Sequence, residues 1–250
     1  MSNHNLYEIA EGLRESGFDI PSLSPDAPGF VVELWRLLAK GHPISSEQVE
    51  KTLSYLGISR EVLTKLKAGL EYDDQGNIVG AVGLSLNPAS SNRLQINGHT
   101  LYTWCAWDAL FIPLGLKQTV MVDALSPATG DSIRIRVTPE RVESYEPERA
   151  VISIIVPSTG AVSAASTPED VWLAFCNHVH FFSSPEAASA WFAGKQHAPL
   201  LLSIEEGYEL GRIRFADVLS AVTDPTGALA GHGTTSPAPS ERPARQVSRG

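Results

Sequence analysis

Apolar residues in the first part of the chain recur at helical spacing. Leu6, Ile9, Ala10 and Leu13 share one face of a short helix, before Pro21, Pro25 and Pro28 interrupt the pattern. Val31, Leu34, Leu37 and Leu38 mark a second helix over residues 30–39. Ser45-Ser46-Glu47-Gln48 reads as a capping box, with Ser45 paired to Gln48, and opens a third helix that ends at Gly57. Ser59 caps a fourth, with Val62, Leu63 and Leu66 inward and Gly69 as its stop. The period then shortens. Residues 70–72 and 78–86 form a hairpin across Asp73-Asp74-Gln75-Gly76-Asn77, and a second hairpin turns at Asn97-Gly98 between 94–96 and 100–104. Residues 106–116 are an apolar run with helical spacing. Further on, 119–123 is a short strand turned by Ser126-Pro127-Ala128-Thr129-Gly130. Ile133, Ile135 and Val137 alternate with Arg134 and Arg136 as in a half-buried strand, and 151–156 is a more buried one. Thr167-Pro168-Glu169-Asp170 starts a helix that leads into a strand around Cys176; Ser184-Pro185-Glu186 starts another, ending near Gly194. Residues 200–204 make a strand and 205–219 a final helix.

Strands and helices follow one another without a regular βαβ repeat, so the fold class is α+β. Helices followed by a wing over residues 1–86 resemble a winged helix, and residues 87–222 form a core of mixed or antiparallel sheet with flanking helices. From Thr223 to Gly250 the composition turns to Gly, Ser, Thr, Pro and Ala, which reads as a disordered tail.

Charge narrows the function classes. The chain carries −9 overall, and residues 1–83 hold seven Lys and Arg against twelve acids, a balance of −5. The wing carries Asp73 and Asp74, where a DNA reader places Lys or Arg. A nucleic-acid partner is therefore excluded, and the N-terminal domain reads as a cover on the core. No uncharged apolar stretch reaches the ~18 residues of a membrane span. The first residues lack the basic and apolar regions of a signal peptide. With two cysteines and no export signal, the expectation is a cytoplasmic protein with free thiols.

Those two cysteines carry the candidate chemistry. Cys105 lies where a strand hands over to a helix, Asp108 follows one turn later on the same face, and Cys176 comes 71 residues after Cys105. Two soft thiolates grip a soft metal, and a nearby carboxyl can move a proton. A thiol at a helix N-terminus is expected to favour its thiolate, whereas the Asp108 charge opposes it unless the carboxyl takes up the proton. The same residues also read as a small buried hydrophobe and a first-turn helix charge. Alternation places Cys176, His178 and His180 on one strand face, which suits half of a zinc site or a pair of hydrogen-bonded core histidines.

Trp104-Cys105-Ala106-x-Asp108, Phe111-Ile112-Pro113, Pro127-Ala128-Thr129-Gly130 and Phe175-Cys176-x-His178-Val179-His180-Phe181-Phe182 together closely resemble the alkylmercury lyase family. The resemblance runs from about Phe30 to about Leu219, in order. It implies cleavage of a carbon–mercury bond by protonolysis, with Cys105, Asp108 and Cys176 as catalytic residues and as the ligands of substrate and product mercury. It implies no organic cofactor, external thiols for product release, and organomercurials, cellular thiols and a mercuric reductase as partners. Two positions depart from the family pattern: Ser126 and Asn177 stand where members often carry further cysteines, and neither belongs to the catalytic trio. Trp107 is bulkier than the family leads one to expect, so substrate preference stays open. The competing readings are a non-catalytic thiol-based metal-binding protein and a metal-sensing transcriptional regulator. Asp108 separates the lyase from a metal carrier, which has no use for a proton donor.

Overall fold

The computed structural model describes residues 5–88, 91–195 and 199–221, without the side chains of Pro21 and Ser22. The expected tail, 223–250, lies outside the described residues. The chain opens with helices α1 (Leu6–Ser16), α2 (Ile20–Leu23), α3 (Ala27–Leu38), α4 (Ser46–Leu56) and α5 (Glu61–Lys65). Strands β1 (Leu70–Tyr72), β2 (Ile78–Ala81), β3 (Leu84–Ser85), β4 (Arg93–Ile96) and β5 (His99–Thr103) follow. Then come α6 (Asp108–Leu116), β6 (Val120–Leu125), β7 (Ser132–Val137), β8 (Val142–Glu146) and β9 (Val151–Ile154). The remainder is α7 (Pro168–Ala174), β10 (Phe181–Phe182), α8 (Pro185–Phe192), β11 (Leu200–Ser203), α9 (Ile204–Arg214) and α10 (Ala216–Ser220).

Local rules fix the helix ends. The Asn5 side chain accepts from the Tyr7 and Glu8 amides, and complete capping boxes open α4 (Ser45/Gln48), α7 (Thr167/Asp170) and α9 (Ser203/Glu206). Pro28 breaks nothing, because it lies in the first turn of α3, where its missing N–H has no helical partner to lose. The expected final helix is two helices, since α9 ends at Arg214 and α10 begins at Ala216.

Among the described residues, β1 to β8 form one antiparallel sheet in the order β1-β2-β3-β5-β4-β6-β7-β8, and β10-β9-β11 form a second, also antiparallel. The expected wing belongs to the large sheet: β3 pairs with β5, Leu84 opposite Thr103 and Ser85 opposite Tyr102. In β7 Ile133, Ile135 and Val137 are buried and Arg134 and Arg136 exposed, as the alternation requires. The architecture is thus α+β, antiparallel sheets with flanking helices.

Helix α6 is the hub. Every residue from Asp108 to Leu116 is buried, so the helix has no solvent face and packs on α3 and α9. Its approach to α9 depends on two small residues. A Cβ at Gly211 would lie 2.6 Å from the Phe111 side chain, and one at Gly207 would lie 2.8 Å from Ile152 and 3.0 Å from Leu110. On the other side the Trp35 indole of α3 donates to the Ala81 carbonyl at 2.9 Å, tying the N-terminal helices to β2. No described helix is long and apolar enough to cross a membrane.

Candidate active site

Cys105 sits in the bend between β5 and α6, Asp108 is the first residue of α6, and Cys176 opens a short 3-10 turn, Cys176–His178, after α7. The strand expected around Cys176 does not form there; the ladder begins only at Phe181. Cys176, His178 and His180 therefore share no strand face, and period-2 alternation gives way to a turn in which the His178 amide bonds the Phe175 carbonyl. His180 points elsewhere, with Nε2 2.9 Å from the Asn177 carbonyl and its ring edge-on to Trp191.

A backbone hydrogen bond from the Ala106 amide to the Val179 carbonyl, 3.3 Å, draws the two cysteine-bearing segments together. As a result, the two sulfurs and a carboxylate oxygen of Asp108 lie within 4.8 Å of one another. Among the described residues this is the one cluster of His, Cys, Asp and Glu side chains arranged to share a metal, and neither His178 nor His180 is in it. Both cysteines are free thiols.

The trio is almost dry: Cys105 is 1% exposed, Cys176 4% and Asp108 8%. Asp108 turns back to accept the Cys105 amide at 2.9 Å, while the Thr103 hydroxyl donates to the Cys105 carbonyl at 2.8 Å. Burial raises the Asp108 carboxyl to about 7, against the opposing effect of its hydrogen bonds from Cys105. The Cys105 thiol is pushed well up, by burial first and then by Cys176 and the Asp108 charge. For Cys176 the hydrogen bond from Cys105 lowers the value most, but burial and Asp108 together outweigh it, so it too is raised. This corrects the expected thiolate. Cys105 precedes the helix instead of capping it, and desolvation overrides the dipole. The thiols rest protonated beside a carboxyl that can hold or release a proton near neutrality.

A cavity of about 180 Å³ opens onto Asp108 and Cys176. Its walls are largely apolar, and Phe18, Trp104, Trp107, Phe111, Phe175 and Phe215 supply the aromatic part. Trp107 is fixed by its indole N–H, which donates to the Gly207 carbonyl at 3.0 Å, and by a T-shaped contact with Phe111. Tyr102 faces a different cleft, with Glu71 and Trp172. Sequence reasoning missed the contributions of Phe18, Val82 and Gly83 to the wall; they come from segments with no recognisable motif.

A sequence model of the family described as alkylmercury lyase matches residues 84–216. The alkylmercury lyase of Staphylococcus epidermidis is 40% identical over 181 residues, covering 72% of this chain and 78% of that protein. The chain belongs to the alkylmercury lyase family. The Streptomyces lividans lyase is 34% identical over 197 residues, 77% of this chain and 86% of that one, and the Pseudomonas putida lyase is 35% identical over 182 residues, 73% and 81%. The fold also resembles a solved mercury-bound form of MerB2, with TM-score 0.63 and 20% identity over 85% of this chain and 98% of that one. The matched span, 84–216, contains all three members of the buried trio of this lyase.

Proposed function

We propose that the protein, an alkylmercury lyase, cleaves the carbon–mercury bond of R–Hg–X by protonolysis at Cys105, Asp108 and Cys176, in mercury detoxification. The observation that carries this reading is the packing of two protonated thiols against a carboxyl raised to about 7, beside an apolar cavity that Asp108 and Cys176 line. The Cys105 sulfur bonds to mercury and X departs, while the Cys105 proton passes to Asp108. Cys176 then adds a second sulfur, and its proton leaves with X as HX. Two sulfurs push electron density onto mercury and make the attached carbon more basic. Asp108 protonates that carbon, giving R–H and Hg(II) on both thiolates. The atoms balance: of the two thiol protons one ends on carbon and the other on X.

The apolar cavity suits the organic group, which on binding fills the space beside Asp108 and excludes water from it. No organic cofactor enters this scheme, because mercury is itself the electrophile. External cellular thiols, or a mercuric reductase, take Hg(II) from the cysteines. The N-terminal segment, read as a winged-helix-like unit, acts as a cover and binds no nucleic acid; Phe18, Ile20 and Leu66 reach the cavity from it. A cytoplasmic location fits the free thiols.

The test is phenylmercury with excess thiol and assay of benzene. Cys105→Ser and Cys176→Ser should each abolish release while the fold persists, because a hydroxyl stays protonated and is a hard ligand poorly matched to mercury. Near wild-type turnover by Cys176→Ser would exclude the two-thiol mechanism.

A further inference from the structure

The turn between β2 and β3 presses on the proton donor. Gly80 pairs with Ser85 and Ala81 with Leu84, leaving Val82 and Gly83 as a two-residue hairpin loop. Both have positive φ, 40° at Val82 and 90° at Gly83. Asn-Gly or Asp-Gly is the usual pair in such a turn, and a β-branched residue there is an outlier. Strain of this kind concentrates at functional sites and persists where the surroundings hold it.

Two hydrogen bonds hold it here. The Val82 amide donates to the Gly69 carbonyl at 2.7 Å, and the Gly83 carbonyl accepts the Trp104 amide at 2.9 Å. Both residues line the cavity that opens on Asp108 and Cys176. A Cβ placed on Gly83 would lie 2.6 Å from the Asp108 carboxyl carbon and 2.6 Å from Oδ1. The bare Gly83 backbone therefore packs directly on the carboxyl, in a turn tied at both ends.

We propose that Gly83, held by the strained Val82–Gly83 turn, is the positioning residue for Asp108: it fixes the carboxyl where it reaches both the Cys105 amide and the carbon bound to mercury. This rests on Asp108 as the proton donor. The turn is tied by two backbone hydrogen bonds and the carboxyl by one, from the Cys105 amide, so a methyl at position 83 displaces the carboxyl first and leaves the two sulfurs in place. Gly83 acts on proton delivery and leaves mercury capture alone.

The experiment compares phenylmercury capture with benzene release in Gly83→Ala, Asp108→Ala and the double variant, with excess thiol. Gly83→Ala should capture one equivalent with KM little changed while kcat falls at least ~10-fold, since effective general acid catalysis needs a positioned donor. The double variant should be no slower than Asp108→Ala alone, because the methyl then has no carboxyl to displace. Ala at a φ of 90° strains the backbone equally in both chains, so should Gly83→Ala fail to fold, the double variant should be the more stable of the two, the clash having been removed. Wild-type kcat in Gly83→Ala, beside a slow Asp108→Ala, overturns this role for Gly83 and leaves Asp108 as donor. A further loss of rate in the double variant, or a double variant no more stable than Gly83→Ala, overturns it too, by showing that relief of the carboxyl clash changes nothing. An unslowed Asp108→Ala removes the donor and this role with it.

Discussion

At the scale of single residues the decisive quantity is the proton on Asp108. Its carboxyl titrates near 7 in the folded protein, against an ordinary 3.8. Below about pH 4 it is protonated in folded and unfolded chains alike, so it contributes nothing. Between those values the folded state keeps a proton that the unfolded chain has released, so stability falls as pH rises. Above about 7 the full cost, on the order of 4 kcal/mol, is present. Asp108→Asn should therefore be more stable than wild type at about pH 8 in urea unfolding, with the gain vanishing toward pH 4. A gain independent of pH would mean that burial does not set the carboxyl's proton affinity. Ser126 buries its Oγ without a hydrogen-bond partner among the described residues. Ser126→Ala should raise stability by about 1 kcal/mol, measured the same way; a loss would reveal a partner for that hydroxyl. Residue types announced the trio, since thiols and a carboxyl are few and chemically distinct. The raised carboxyl and the role of Gly83 were illegible, because both arise from neighbours brought in by the fold.

Secondary-structure elements were legible where their signals are local. The capping boxes at Ser45 and Thr167 close within three residues, and the alternation in β7 needs only a period of two. Strand β8 gave no such signal: as an edge of the sheet, Val142–Glu146 buries no residue fully and carries charge along its length. The Cys-x-His-x-His run misled because alternation does not distinguish a strand from a 3-10 turn followed by an extended residue or two. Contacts between elements were likewise hidden. The Trp107 indole bridges the start of α6 to α9 through the Gly207 carbonyl, across 100 residues of sequence. Trp107→Phe keeps most of the ring packing and loses the indole bond, while the carbonyl, inside α9, keeps its helical partner, so it should cost about 0.5–1.5 kcal/mol in urea unfolding. A neutral substitution would mean the bridge holds nothing.

For the whole molecule, the α+β class and the family were readable, whereas the union of the wing with the core sheet through β3 and β5 was not. That pairing places Gly83 against Asp108 and brings the N-terminal segment over the cavity. With −5 on residues 1–83, the same segment should show no salt-sensitive, sequence-selective DNA binding in a gel shift; a shifted band of that kind would revive a regulatory role. The central claim is that binding and cleavage are separate tasks, sulfur for the one and the Asp108 proton for the other. The most direct measurement is phenylmercury capture and benzene release by Asp108→Ala. The account predicts stoichiometric capture, the Cys105 proton then going to solvent instead of to a carboxylate, with release slowed by about 10²–10⁴-fold. Release at the wild-type rate, or loss of capture altogether, would contradict it.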